Sequence, residues 1–238
     1  MLILAVDSAT PVAGVALLNE EKIIKEEFSN YKKTHSETLM PTIERVLNES
    51  EVALHDITAI AISTGPGSFT GLRIGMATVK GLCLAAGKPL VAVPTLDALA
   101  HNITASDALV CPLLDARKQE VYTAFYDASG ICPQRQGDMM ACSPQQFVEL
   151  ALQKGHELGK EYFLLLGDGY YPYKEFFREA LGDKLILPPR HSMLLRAAAV
   201  GDLAIYKASR GDFEDPFKIK PVYIRLSEAE HRLGKGEL

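Results

Sequence analysis

The sequence has no Cys-x-x-Cys pair. Its cysteines, Cys83, Cys111, Cys132 and Cys142, stand far apart, so metal or redox use is not expected and a reducing compartment fits. There is no basic leader: the opening Met-Leu-Ile-Leu-Ala-Val-Asp reads as a first strand rather than a signal peptide. No uninterrupted apolar stretch approaches the ~18 residues of a membrane span. Basic charge is not in excess either. The 25 Lys and Arg against 30 Asp and Glu give a net charge of −5, which argues against this chain alone gripping nucleic acid. These absences point to a cytoplasmic protein that handles a small molecule or meets a basic partner. What is present is an ordinary globular balance, 47% hydrophobic and 23% charged over 238 residues, enough for one large domain or two small ones.

The densest signal is Ser63-Thr-Gly-Pro-Gly-Ser-Phe-Thr-Gly-Leu-Arg-Ile-Gly75. The β-type run Ile57–Ile62 leads into it, and the apolar helical run Leu72–Ala86 leads out. Glycines there permit left-handed backbone and close approach of another group. Ser68 or Thr70 could cap the helix, and free first-turn N–H groups can hold an anion. Three readings stand: a phosphate or carboxylate cradle, a close protein contact, or a tight turn. A P-loop is excluded, because Thr70 sits where its second glycine belongs. The same Thr70 spoils the third glycine of a dinucleotide fingerprint.

Strands are expected at Leu2–Val6, Val12–Leu18 and Lys22–Phe28, short-turned and so antiparallel. A helix follows at His35–Ser50, then strand Ile57–Ser63, helix Leu72–Ala86, strand Leu90–Val93 and helix Leu96–His101. The second half repeats this order. Strands are expected at Leu109–Leu114 and Glu120–Tyr126, with a weak third within Ile131–Ala141. A helix capped by Ser143 before Pro144 follows, then strand Tyr162–Leu166, helix Tyr173–Ala180, strand Lys184–Leu187 and helix Ser192–Arg210. Asp7 and Asp115 each follow the first strand of a half. The division is 1–105, 106–226 and a polar tail, 227–238. An α/β protein with two βββαβαβα (RNase H-like) halves resembles the actin-like/sugar-kinase/Hsp70 superfamily, whose ligands lie between the halves. Fold alone does not assign function.

More specific motifs follow. Leu4-Ala-Val-Asp-Ser-Ala-Thr10, His35-Ser-Glu-Thr-Leu-Met-Pro41, Gly65–Gly75, Asp115-Ala-Arg-Lys-Gln-Glu-Val-Tyr122 and Pro221-Val-Tyr-Ile-Arg225 together resemble the TsaB (YeaZ) family, a paralogue of the TsaD family, over nearly the whole chain. The resemblance implies a non-catalytic subunit of the machinery that makes N6-threonylcarbamoyladenosine next to the tRNA anticodon. Such a subunit dimerises with the TsaD transferase and is joined by the TsaE ATPase. It pairs with a second copy of itself when alone, and meets tRNA only through the complex. Where TsaD-like proteins carry a metal-binding His-x-x-x-His, Thr95 and Leu99 stand here, leaving His101 alone. No metal is therefore expected, no Ser-His-Asp or Cys-His set can be assembled, and an older peptidase label finds no support.

Two residue sets follow from the resemblance. A vestigial phosphate site would use Asp7, Gly65, Gly67 and Ser68, although Ala9 replaces the glycine of Asp-x-Gly-Thr and nucleotide binding by this chain alone is not expected. A partner interface would use His35, Leu39, Met40 and Ile43 of the first helix and Leu72, Arg73, Gly75, Met76 and Val79 of the second. The rival expectation is an actin-like ATPase or small-molecule kinase with nucleotide in the cleft.

Overall fold

The structure, a computed structural model, describes residues 1–29 and 35–225. The tail expected at 227–238 lies outside the described residues. Strands β1 (Leu2–Asp7), β2 (Ala13–Asn19) and β3 (Ile23–Ser29) form the expected antiparallel meander. Then β4 (Ala59–Ser63) and β5 (Leu90–Val93) add on parallel, giving the order β3-β2-β1-β4-β5. The near-continuous apolar run of β1 has a simple cause: both faces of the sheet are covered. Leu4 and Val6 face α1 (His35–Glu49) and α2 (Phe69–Ala86), in a cluster with Leu39, Ile43, Met76 and Val79. Ile3 and Ala5 turn the other way, into the larger core shared with the second half.

The second half contains β6 (Leu109–Arg117), β7 (Glu120–Thr123), β8 (Tyr126–Asp127), β9 (Gln134–Arg135) and β10 (Met140–Cys142). After α4 (Pro144–Leu158) come β11 (Phe163–Leu166), α5 (Lys174–Leu181), β12 (Leu185–Ile186) and α6 (Ala197–Ala208), while α3 (Thr95–Ala100) links the halves. The sheet order β10-β7-β6-β11-β12 reproduces that of the first half. The duplication inferred from element order is therefore a duplication of topology.

Four elements depart from expectation. The single strand Glu120–Tyr126 breaks at Ala124 and Phe125. Both are buried, and Pro112, which falls opposite Ala124 in the register with β6, has no N–H to give the ladder there. The weak third strand is two short ones, β9 and β10. The second helix starts three residues early, at Phe69, because the Ser68 hydroxyl accepts from Gly71 N. The last helix starts at Ala197, not Ser192, after a separate turn of 3₁₀-helix at Arg190–Met193. Its first turn is held by Glu26 of β3, which accepts from Ala198 N and pairs with Arg196. This helix packs across β1 and β2 of the first sheet rather than on its own.

By length and composition only, α2 passes as apolar enough to cross a membrane, a test that a core helix also passes, and Arg73 and Lys80 interrupt its apolar run. Only 33% of it is buried, and that part seats on the first sheet.

Candidate functional site

The glycine loop runs from the end of β4 into α2 and includes a cis Gly65–Pro66 bond. Its close approaches are made to the chain's own backbone. A Cβ at Gly67, Gly71 or Gly75 would sit closer than 3.0 Å to Ala9 O, Ser8 O and Ser8 Oγ respectively. The turn Ser8–Ala9 is thus wedged against the first turns of α2. Ser68 N donates to Ala9 O at 2.7 Å, and Ser8 Oγ donates to Gly71 O at 2.9 Å. Gly65, at φ +121°, faces Val222 O, and a side chain there would collide with it. Thr95, one of the two residues standing in for the TsaD histidines, accepts from Gly65 N at 2.9 Å and donates its own N–H to Gly65 O at 2.9 Å. The loop's close contacts are all within the chain, which is nearest to the tight-turn reading.

Asp7 is buried beneath this turn. Its Oδ1 accepts from Ala9 N at 3.0 Å and from the Ser63 hydroxyl. Its Oδ2 has no partner among the described residues. Burial pushes its pKa up to about 6, and the charge of Asp168 adds to the rise. Asp168, just after β11, accepts from Asp115 N at 3.2 Å, and its own pKa is also raised by burial. Asp115 and Asp168 line a cleft of about 240 Å³ with Thr10, His35, Ser68, Phe69 and Arg117, while Asp7 is buried within reach of the charge of Asp168. Arg117 is 80% exposed and pairs with Asp115 at 2.9 Å, so the second-half turn is both an exposed hairpin and a cleft wall.

Asp168 and Thr95 were not singled out as site residues from sequence. For Asp168 a signal exists: Gly167-Asp-Gly169 occupies the place after β11 that the glycine loop occupies after β4. Aligning the two halves by element finds it. The bond from Thr95 to Gly65 has no local signature.

The nine residues expected at the partner interface separate into three groups. Leu39, Ile43, Leu72, Gly75, Met76 and Val79 are buried in the chain's own core, Ile43 also forming the floor of the groove described below. The helical spacing that marked them is that of the sheet-facing stripe. His35 is half-buried and bonds Thr10 O through Nε2 at 2.9 Å, pinning the first turn. Met40 and Arg73 are exposed. The uncovered face of α2 carries Arg73, Ala77, Gly81, Leu84 and Ala85, and next to it an apolar groove of about 390 Å³ includes Met40, Ile43, Leu47, Leu54 and Leu82. Gly81 has nothing within 4 Å of a would-be Cβ.

Leu99 is core and His101 Nε2 bonds Asp202 at 2.6 Å. Among the described residues no three His, Cys, Asp or Glu side chains converge as a metal site.

The arrangement is an α/β fold of two similarly ordered halves, the fold seen in actin-like proteins and sugar kinases. The fold is shared, at 10% identity, with the activator of 2-hydroxyisocaproyl-CoA dehydratase from Clostridium difficile, solved with bound ADPNP (TM-score 0.52, covering 94% of this chain and 100% of that one). The family model for TsaD, tRNA N6-adenosine threonylcarbamoyltransferase, matches residues 22–231. The tRNA threonylcarbamoyladenosine biosynthesis protein TsaB of Bacillus subtilis is 33% identical, over 97% of this chain and 96% of that protein. YeaZ from Pseudomonas aeruginosa is similar in structure, with TM-score 0.75 at 26% identity, covering 93% of this chain and 99% of that one. The chain belongs to the TsaB family of tRNA threonylcarbamoyladenosine biosynthesis proteins.

Proposed function

We propose that this chain is a non-catalytic subunit that docks on a TsaD-type transferase and supports transfer of the threonylcarbamoyl group to tRNA. The observation that carries this reading is the uncovered apolar face of α2. Leu84, 49% exposed, lies on one stripe of α2 with Ala77, Gly81 and Ala85, and Met40, 47% exposed, lines the α1–α2 groove with Leu82 on the flank of that helix. Contiguous exposed apolar surface of this kind marks a protein interface. Gly81 and the alanines let a second helix come close, and Met40 adapts to its shape. A transferase with the paired fold would present equivalent helices. Without it, the same face would close on a second copy of this chain through a two-fold contact. A TsaE-type ATPase would join the pair, and tRNA would be held by the complex in the cytoplasm, since this chain's net charge of −5 does not suit it to hold nucleic acid alone.

The ATPase or kinase alternative needs room for phosphates at the glycine loop. Against it, the loop's glycines approach Ser8, Ala9 and Val222 of the chain itself, and Ala9 stands where a phosphate-binding turn of that superfamily has glycine. The test is light scattering on size-exclusion fractions of the chain alone and mixed with the transferase of the same organism. A homodimer that converts to a mixed complex is expected. A monomer indifferent to the transferase overturns the reading.

A further inference from the structure

The segment Pro221–Arg225 touches both halves within five residues. It is irregular, and Val222 and Tyr223 are partly exposed. Just before it, Ile219 is buried in the α1–α2 side of the first sheet. Val222 N then donates to Thr64 O at 2.7 Å, and Val222 O occupies the space left by the missing side chain of Gly65. Tyr223 stacks on Phe69, with ring centroids 4.7 Å apart, and its hydroxyl accepts from Arg73 Nε at 3.1 Å. Ile224 packs on the core shared with the second half. Arg225 crosses to that half, donating to Ala116 O at 3.0 Å and pairing with Glu120 at 2.6 Å. Phe69 and Ala116 line the cleft from opposite sides. The far anchor is the β6–β7 turn, where three successive non-glycine residues, Arg117, Lys118 and Gln119, hold φ of +60°, +51° and +62°. Such backbone persists only where its surroundings hold it.

We propose that Pro221–Arg225 is a releasable clasp that fastens the β6–β7 turn to the glycine loop across the cleft mouth, and that Arg73 passes its state to the exposed face of α2. Pro221 has no N–H to give, Val222 N makes the segment's backbone bond to the loop, and the rest of the grip is side-chain contact at a partly exposed surface. A segment held in this way opens at lower free energy than the sheets beneath it. Arg73 is the joint. It lies in the second turn of α2, on the same stripe as Ala77, Gly81 and Leu84, and it also sits 5.8 Å from the centre of the Tyr223 ring. A protein covering that stripe meets Arg73 in one of two settings, with Tyr223 in place or with Tyr223 gone. This consequence rests on the docking reading above, whereas the clasp itself does not.

Amide hydrogen exchange on the full chain tests the clasp. Arg225→Glu sets two like charges together at Glu120. It should speed exchange at Val222 about tenfold with unchanged circular dichroism, and Glu120→Arg combined with Arg225→Glu should recover most of the protection. Tyr223→Ala, at a partly exposed position, should give the same acceleration by removing the stack. Unchanged exchange at Val222 in both Arg225→Glu and Tyr223→Ala overturns the clasp, and so does a double variant no better protected than Arg225→Glu. Titration with the transferase tests the coupling. Arg225→Glu should weaken binding about tenfold although it lies off the docking face, and the double variant should restore it. Unaltered affinity in a variant whose clasp has opened overturns the coupling. A wild-type chain that binds no transferase overturns the docking reading and leaves the exchange result standing.

Discussion

The two halves share one sheet order but treat the turn after their first strand differently. In the first half Asp7 is buried, and the turn Ser8–Ala9 is wedged into a row of glycines on α2. In the second half Asp115 is only partly buried, and the following turn projects, with Arg117 to Gln119 in left-handed backbone. The first turn packs against the chain's own helix. The second leaves an arginine standing beside the cleft. The difference teaches that duplicated topology does not carry duplicated chemistry, and that a glycine row after a strand says only that something approaches closely, not what.

The comparison breaks most severely at the wedge. Gly71→Ala drives a Cβ into Ser8 O, a backbone atom that cannot step aside, and should cost about 3 kcal/mol or more in urea unfolding. Gly167→Ala, at φ +107° and against Leu113 O, should cost as much, because both halves share this close strand-to-loop packing. A loss of under about 1 kcal/mol at either position would mean that half is not packed as described.

The next effect belongs to Asp7. Its carboxyl is held neutral up to about pH 6 in the folded chain, against 3.8 for the ordinary group. The folded state therefore binds the extra proton between these values, and stability falls as pH rises from about 3.8 to about 6. Asp7→Asn keeps an oxygen for Ala9 N and Ser63 and removes the buried charge. It should gain about 1–3 kcal/mol at neutral pH and flatten that fall. Denaturant unfolding from pH 4 to pH 8 measures both, and a variant that loses stability at neutral pH contradicts the buried-charge account.

Smaller effects sharpen the contrast. Gln119→Gly relieves left-handed backbone in the projecting turn and should gain about 0.5–1 kcal/mol. Gly81→Ala, in open space on α2, should gain up to about 1 kcal/mol in the lone chain. The same substitution narrows the close approach and should weaken transferase binding, as titration calorimetry would show.

Much of this was legible in the sequence. The meander, the parallel crossovers and the repeated order follow from turn residues and period. The Ser143–Pro144 start of α4 was read correctly, because a capping box is a local signal. What was not legible depends on the third dimension. The resemblance put Leu72, Met76 and Val79 at a partner interface, and a helix apolar nearly all round could not say which face is covered; Met76 and Val79 meet the first sheet and Leu72 the core shared with the second half. α6 carries no mark of packing on the other half's strands, since Glu26 and Arg196 are 170 residues apart. Asp7 could be named from its motif, but its orphaned oxygen and raised pKa arise only from burial beside Asp168.

The correction to α2 also chooses the decisive substitution. Leu72 is 1% exposed, so a charge there tests the fold, whereas Leu84 tests the docking face. The measurement is light scattering on Leu84→Glu with the transferase, alongside thermal unfolding of the lone variant. The account predicts a melting temperature within a few degrees of wild type and loss of the mixed complex, because a desolvated carboxylate in an apolar contact has no partner. A stable variant that still forms the mixed complex at wild-type yield would contradict it.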